Sequence, residues 1–264
     1  MFRKIILLSI FPFVFACQQK QKDDAKDNQD SSAIVLDGPT ENTSLTNSPE
    51  NKENHTSTIN YKQGDLLLAN ASYRIGEENE IGKILNHGTW FMLRKDQKGY
   101  KVEKAQYKLI NAEEEPCSGL PTQTLESDRS SLLFFNIPTI KIGTVDTIAI
   151  EYKNIAPNKS QSFVFNGHSY TLEAKGIDPL KQDYSSTANA FYQLILTVDN
   201  ISQEILYQTE YNDTHTEILF IGDLDKDGKL DFMLSSPRDY EEERIILILS
   251  SDPIHYEETR QFDC

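Results

Sequence analysis

Basic residues are scarce in this chain. Lysine and arginine number 26 against 41 aspartates and glutamates, a net charge of −15 over 264 residues. Phosphate backbones are held by clustered Lys and Arg, so this balance argues against a nucleic-acid partner. It suits solubility and the capture of cations. Common catalytic signatures are also missing. There is no Gly-x-Ser-x-Gly elbow and no glycine-rich phosphate loop. The five histidines, at 55, 87, 168, 215 and 255, show no His-x₃-His spacing and no neighbouring cysteine, which leaves zinc without a ligand set. Helical periodicity over three turns is rare, and only 61–85 and 178–193 allow short helices.

The longest apolar run stands at the start. Met1-Phe2-Arg3-Lys4 leads into an almost wholly apolar stretch, 5–16, and then Cys17. A basic start, a short apolar core and a small residue before the cut make a secretory signal. The run is too short to span a bilayer as a stable helix. Val14-Phe15-Ala16-Cys17 resembles a bacterial lipobox. That resemblance implies cleavage before Cys17, a diacylglycerol on its sulfur, and a protein tied by this lipid anchor to the membrane of the bacterial cell envelope. The alternative is an ordinary signal peptide followed by a chance cysteine. Gln18 stands where enteric inner-membrane lipoproteins carry a retention aspartate, which points to the outer membrane in a Gram-negative host. Loss of 1–16 removes Arg3 and Lys4 and makes the mature chain more acidic still. Cysteines number three. With Cys17 taken by lipid, Cys117 and Cys264 remain as an even pair in a compartment that permits disulfides. Two free thiols, or Cys264 paired with another chain, are the alternatives.

Residues 17–60 form the next segment, polar and poor in aromatics, with Pro39 and Pro49. Such a segment buries too little apolar surface to fold alone. It reads as a disordered tether with an end-to-end distance of roughly 35–40 Å. Residues 61–264 read as a β-rich body of one domain or two sub-domains. Strands are expected over 89–94 and 100–109 around Asp96-Gln97-Lys98-Gly99, then over 131–136 and 147–152. Further strands are 161–165 and 169–174 around Asn166-Gly167, a dipeptide favoured in tight hairpins. A second pair, 191–198 and 204–210, flanks Asp199-Asn200. Gly82 to Gly88 reads as a turn between short strands. The run 244–250 is continuously apolar, as in a buried strand, and 259–264 reads as the last strand. The fold class is mainly β: an antiparallel sandwich or barrel-like body with few short helices.

The stretch Gly222-Asp223-Leu224-Asp225-Lys226-Asp227-Gly228-Lys229-Leu230-Asp231 states its own chemistry. Carboxylates at alternating positions repel one another unless a cation sits among them. Hard oxygens with a glycine at the sixth place suit Ca²⁺. Numbered from Asp223, positions 1, 3, 5 and 9 are Asp223, Asp225, Asp227 and Asp231. Position 7, Lys229, can offer its backbone carbonyl. Position 12 is Leu234 where an EF-hand has glutamate, and the flanks alternate as strands do. The metal-free alternative is a solvated acidic β-turn. Asp239 to Glu243 follows closely and can supply one more oxygen or stay solvated.

The loop resembles the strand-loop-strand calcium sites of FG-GAP and VCBS-type repeats, D-x-D-x-D-G-x-x-D. That resemblance makes Asp223, Asp225, Asp227 and Asp231 side-chain ligands and Lys229 a carbonyl ligand. The loop occurs once, so a propeller of repeated calcium blades is not expected. The wider stretch, with its apolar strand and terminal cysteine, resembles uncharacterised bacterial lipoproteins and brings no activity with it. Three functions stay open. One is a non-enzymatic, calcium-pinned module that binds an envelope protein or glycan. The second is a calcium-stabilised hydrolase of envelope polymers, and the third a purely structural envelope component. Trp90 and the many Tyr and Phe residues can line a sugar-binding face or fill a β core. The anchor is open to direct test. Cys17→Ser is expected to leave the precursor uncleaved by the lipoprotein peptidase and free of lipid label; equal labelling of variant and wild type would remove the lipobox.

Overall fold

A computed structural model of the chain describes residues 55–76, 80–116, 118–176, 191–209 and 214–261. Cys17, Cys117 and Cys264 lie outside the described residues, and with them the expected lipid anchor and the expected disulfide. So do the leader, nearly all of the tether, and most of the helix expected over 178–193.

The described residues are mainly β. The first strands are β1 (Asn60–Lys62), β2 (Leu66–Leu68) and β3 (Ser72–Arg74), followed by one short helix, α1 (Ile81–Leu85). Next come β4 (Phe91–Asp96), β5 (Gly99–Lys104), β6 (Lys108–Ala112), β7 (Thr122–Glu126), β8 (Ser131–Phe135) and β9 (Gly143–Thr147). The meander β10 (Lys159–Phe165), β11 (His168–Gly176), β12 (Tyr192–Val198) and β13 (Ile201–Gln208) follows. The chain closes with β14 (Glu217–Asp223), β15 (Asp231–Ser235), β16 (Glu242–Ile248) and β17 (Ile254–Gln261).

Ten strands form one sheet in the order β1-β17-β16-β15-β14-β9-β5-β4-β8-β2. Its pairings are antiparallel except β1 with β17. β1 and β2 stand at opposite ends of that order, yet only residues 63–65 join them. Three linking residues reach about 14 Å at most. The ends of a flat ten-stranded sheet would lie roughly 43 Å apart. The sheet must therefore curl. β2 does lie against β17, and Gln63 Nε2 donates to Glu257 Oε1 of β17 at 3.0 Å.

Curling gives the sheet an inside and an outside, and both are covered. Leu93, Val102, Phe135, Phe220, Met233, Leu247 and Tyr256 fill the inside. On the outside, Ile218, Phe232, Leu234, Ile246 and Ile248 meet Tyr170, Leu172, Leu194 and Leu196 of the β10-β11-β12-β13 sheet. Elsewhere on the outside, α1 and the β3-β7-β6 sheet cover Leu67, Met92 and Phe134. A strand buried on both faces cannot alternate apolar with polar. This is why, within the expected strand 244–250, residues 245–249 are all apolar and why β16 sits mid-sheet between β15 and β17.

Four sequence expectations need correction. The stretch Gly82 to Gly88 holds α1, not a turn between strands, because Ile81 and Leu85 fall on one buried helical face. The strand expected over 147–152 ends at Thr147. Ile148 and Ile150 keep a half-buried alternation against the core, but beyond Thr147 the ladder to β14 is reduced to the long Ile148 N–H to Ile221 carbonyl contact and a bond from Ile218 N–H to the Lys153 carbonyl at 2.7 Å. The strand expected over 100–109 breaks after Lys104, and β6 leaves for the three-stranded sheet. β17 begins at Ile254, earlier than expected, because its charges are internally partnered and buried. Arg244 Nε donates to Glu257 Oε2 at 2.8 Å, and Arg244 Nη1 donates to Gln208 Oε1 at 3.0 Å.

Glu258 of β17 is also buried. Burial pushes its carboxyl from the ordinary 4.5 up to about 8, against the opposing pull of the Tyr73 hydroxyl and Arg260. The folded chain thus holds this proton more tightly than the unfolded chain. The associated stability is present below the unfolded value and is lost as pH rises towards the folded one. Glu258→Gln keeps a neutral side chain at every pH. Its melting temperature relative to wild type is expected to climb between about pH 5 and pH 8. A pH-independent difference between the two, measured by thermal unfolding, would refute the assignment.

Candidate metal centre

The aspartate loop joins two mid-sheet strands. β14 runs in to Asp223 and β15 leaves from Asp231, with Gly222 paired to Asp231 across the ladder. Gly228 has φ +87°, in the left-handed region that glycine enters without strain. A Cβ at Gly222 would stand 2.7 Å from the Asp146 carbonyl oxygen of β9, so only glycine lets the neighbouring strand approach here.

The acidic side chains turn inward and collect backbone N–H groups. Gly228 N–H donates to Asp223 Oδ2 at 3.0 Å, Asp227 N–H to Asp225 Oδ1 at 3.1 Å, and Lys229 N–H to Asp227 Oδ1 at 2.8 Å. Asp223, Asp225 and Asp227 each offer a carboxylate oxygen, and these atoms all lie within 4.8 Å of one another. Asp223 and Asp225 are both only 7% exposed, while Asp227 is exposed. Asp223 Oδ1 is buried with no hydrogen-bond partner. Among the described residues none of the four aspartates forms an ion pair. Lys226 Nζ instead donates to the Ile142 carbonyl at 3.0 Å. Burial raises the Asp223 carboxyl above its ordinary value and the charges of Asp227 and Asp225 raise it further, while N–H bonds from Gly228 and Lys226 oppose them. Two unit charges at this separation cost roughly 3–4 kcal/mol at an effective dielectric near 20. A cation among them reverses that sign.

Asp231 has a different environment. It is fully buried at the base of the loop, outside the group of three. Leu224 N–H donates to its Oδ2 at 2.6 Å and Ser250 N–H to its Oδ1 at 2.8 Å. Burial pushes this carboxyl up to about 7, opposed by the Ser250 and Leu224 N–H bonds and aided by the charge of Asp225. Lys229 is exposed, with its N–H on Asp227. Asp239 caps its own turn, accepting from Glu241 N–H at 3.0 Å, and does not join the group. Trp90 fills core: its Nε1 donates to the His87 carbonyl at 3.1 Å, and its ring is buried with Met92 and Phe134.

Two serines that sequence reasoning missed complete the surroundings. Ser250 Oγ donates to Asp227 Oδ2 at 3.0 Å, and Ser251 Oγ donates to Asp225 Oδ2. They sit in the β16–β17 turn, some twenty residues beyond the loop, and only the strand register brings them there. The four-stranded sheet also reaches in. Asn166 Nδ2 donates to the Gly228 carbonyl at 3.1 Å, and the Tyr170 hydroxyl accepts from Leu230 N–H at 3.2 Å. No protein-family model, curated protein or solved structure matches the chain.

Asp231→Ala strips partners from the buried Leu224 N–H and the part-buried Ser250 N–H. In EDTA, where no metal contributes, it is expected to lower unfolding free energy by about 2–4 kcal/mol. Exposed Asp227→Ala is expected to cost less than about 1 kcal/mol under the same conditions. Equal losses in denaturant titration would show that Asp231 has no special structural part.

Proposed function

We propose that this loop is a calcium site and that the chain is an envelope-anchored lipoprotein whose β body is a non-enzymatic binding module. The observation that carries the metal reading is the buried, partnerless Asp223 Oδ1 beside the carboxylates of Asp225 and Asp227. A lone pair taken from water and given no donor is costly, and a cation supplies the missing partner. Following the D-x-D-x-D-G-x-x-D resemblance, Asp223, Asp225 and Asp227 bind through side chains and Lys229 through its carbonyl. Asp231 spends two of about four acceptor positions on N–H groups, so it can both hold the loop and ligate. The donor set is all oxygen and strongly anionic, which selects a hard cation. A flexible loop with waters completing six to eight ligands suits Ca²⁺ better than the tight octahedron of Mg²⁺. Calcium here is structural: it fixes a turn that both the large sheet and the four-stranded sheet lean on.

The binding role is preferred to hydrolysis because these carboxylates are engaged by backbone N–H groups and serines and, in this reading, by the ion. The anchor at Cys17 follows from the leader, and an envelope protein or glycan is the partner that such an address makes available.

Melting temperature is expected to rise with added Ca²⁺ and fall with a chelator, by about 2.7 kcal/mol of stability at a hundredfold excess over Kd. Mg²⁺ is expected to do less. Asp225→Ala should remove most of the response and Asp239→Ala should keep it. A melting temperature that is flat across calcium concentrations would reduce the loop to an acidic turn.

A further inference from the structure

Next to the aspartate loop lies a cavity of about 650 Å³. Its walls are the lead-in to β1, the first half of β13, the end of β16 and the β16–β17 turn. Ser250 and Ser251 belong to this lining, and the same two hydroxyls bind Asp227 and Asp225. The turn is therefore shared: one side holds the candidate metal loop and the other faces the cavity.

The lining chemistry is selective. It contains no lysine or arginine, and its two carboxylates are Glu204 and Asp252. Anionic ligands have nothing to bind and two charges to avoid. The carboxylates are already engaged from within. Glu204 accepts from His55 Nε2 at 2.7 Å, Ser57 Oγ at 2.6 Å and Gln193 Nε2 at 2.6 Å. Asp252 accepts from Ile254 N–H at 2.9 Å and the Tyr256 hydroxyl at 2.7 Å. So occupied, they are weak lures for a cation. His255 is buried and held neutral, its imidazole pushed down to about 4 by burial, and its Nδ1 has no partner. The amides of Asn60 and Gln203 both donate and accept, and the two serine hydroxyls, their protons given to the aspartates, keep lone pairs that accept. Ile59 and Pro253 add apolar surface. Uncharged groups that donate and accept, set around a few apolar patches, match a hydroxyl-rich neutral molecule. The volume lies in the range of small-ligand sites.

We propose that this cavity binds a neutral saccharide, and that calcium in the aspartate loop sets the affinity by fixing the shared Ser250–Ser251 turn. The coupling rests on the metal reading above. When the ion draws Asp225 and Asp227 to itself, their hold on the two serines changes, and so does the wall that the serines form.

The test is an array of neutral, sialylated and phosphorylated oligosaccharides probed with the full chain in Ca²⁺ and in EGTA, with spermidine as a cationic control in calorimetry. Neutral glycans are expected to be retained in Ca²⁺ and to bind at least tenfold more weakly in EGTA. Gln203→Trp, at an exposed lining position, should abolish retention and leave the calcium-dependent melting shift intact. Three results would each overturn the inference: no neutral glycan retained, a preference for anionic glycans or spermidine, or retention unchanged in Gln203→Trp. If calcium still raises the melting temperature in such a case, only the cavity inference falls. If calcium does nothing to melting, the metal reading falls first.

Discussion

One buried carboxylate, Asp231, ties together the parts that matter here. It is wholly inside the protein, and its two oxygens accept N–H groups from segments far apart in sequence, Leu224 at the start of the aspartate loop and Ser250 in the β16–β17 turn. Without it, one buried and one part-buried donor would lose their partner at a place where four strands change direction. The loop's own N–H groups can then point at Asp223, Asp225 and Asp227, because the base from which they hang is already fixed. The three-aspartate cluster therefore follows from a hydrogen-bonding constraint one level deeper than the motif that announces it.

The rest of the architecture sets that constraint in place. Curling gives the ten-stranded sheet a packed inside, and the two smaller sheets with α1 bury its outer face in two areas. The four-stranded sheet does more than cover apolar surface. Its first hairpin tip, with Asn166 at φ +48° and Gly167 at φ +85°, places Asn166 over the Gly228 carbonyl. Tyr170 packs in the core by its ring and caps Leu230 N–H by its hydroxyl. Packing and loop geometry are thus the same contacts seen from two sides.

Much of this was legible in the sequence where local chemistry decides. The Asn166-Gly167 and Asp199-Asn200 hairpins, the apolar run that ends β16 and the glycine at the sixth loop position all carry local signals. What was not legible depends on register or on distant partners. Ser250 and Ser251 look like ordinary turn serines until two strand pairings bring them under the loop. β7 has a single buried apolar residue, Leu125, so its alternation is too weak to read. The start of β17 is hidden by His255, Glu257 and Glu258, charged or polar residues that read as surface and are buried because Arg244, Tyr61 and Tyr73 meet them. Asp231 counts as one more ligand in the motif, and its part as a backbone anchor appears only with Leu224 and Ser250 in place.

The parallel pairing of β1 with β17 has a consequence in time. Asn60 to Lys62 line up with Ile254 to Tyr256, so the contact that brings the two ends of the large sheet together spans nearly the whole body. Closing so long a loop is slow, and it cannot begin until the last strand exists. A chain released from its N-terminus, whether by a ribosome or through a narrow pore, has to carry β1 without its β17 partner until the C-terminal strand arrives. The large sheet therefore closes only once β17 is available to pair with β1.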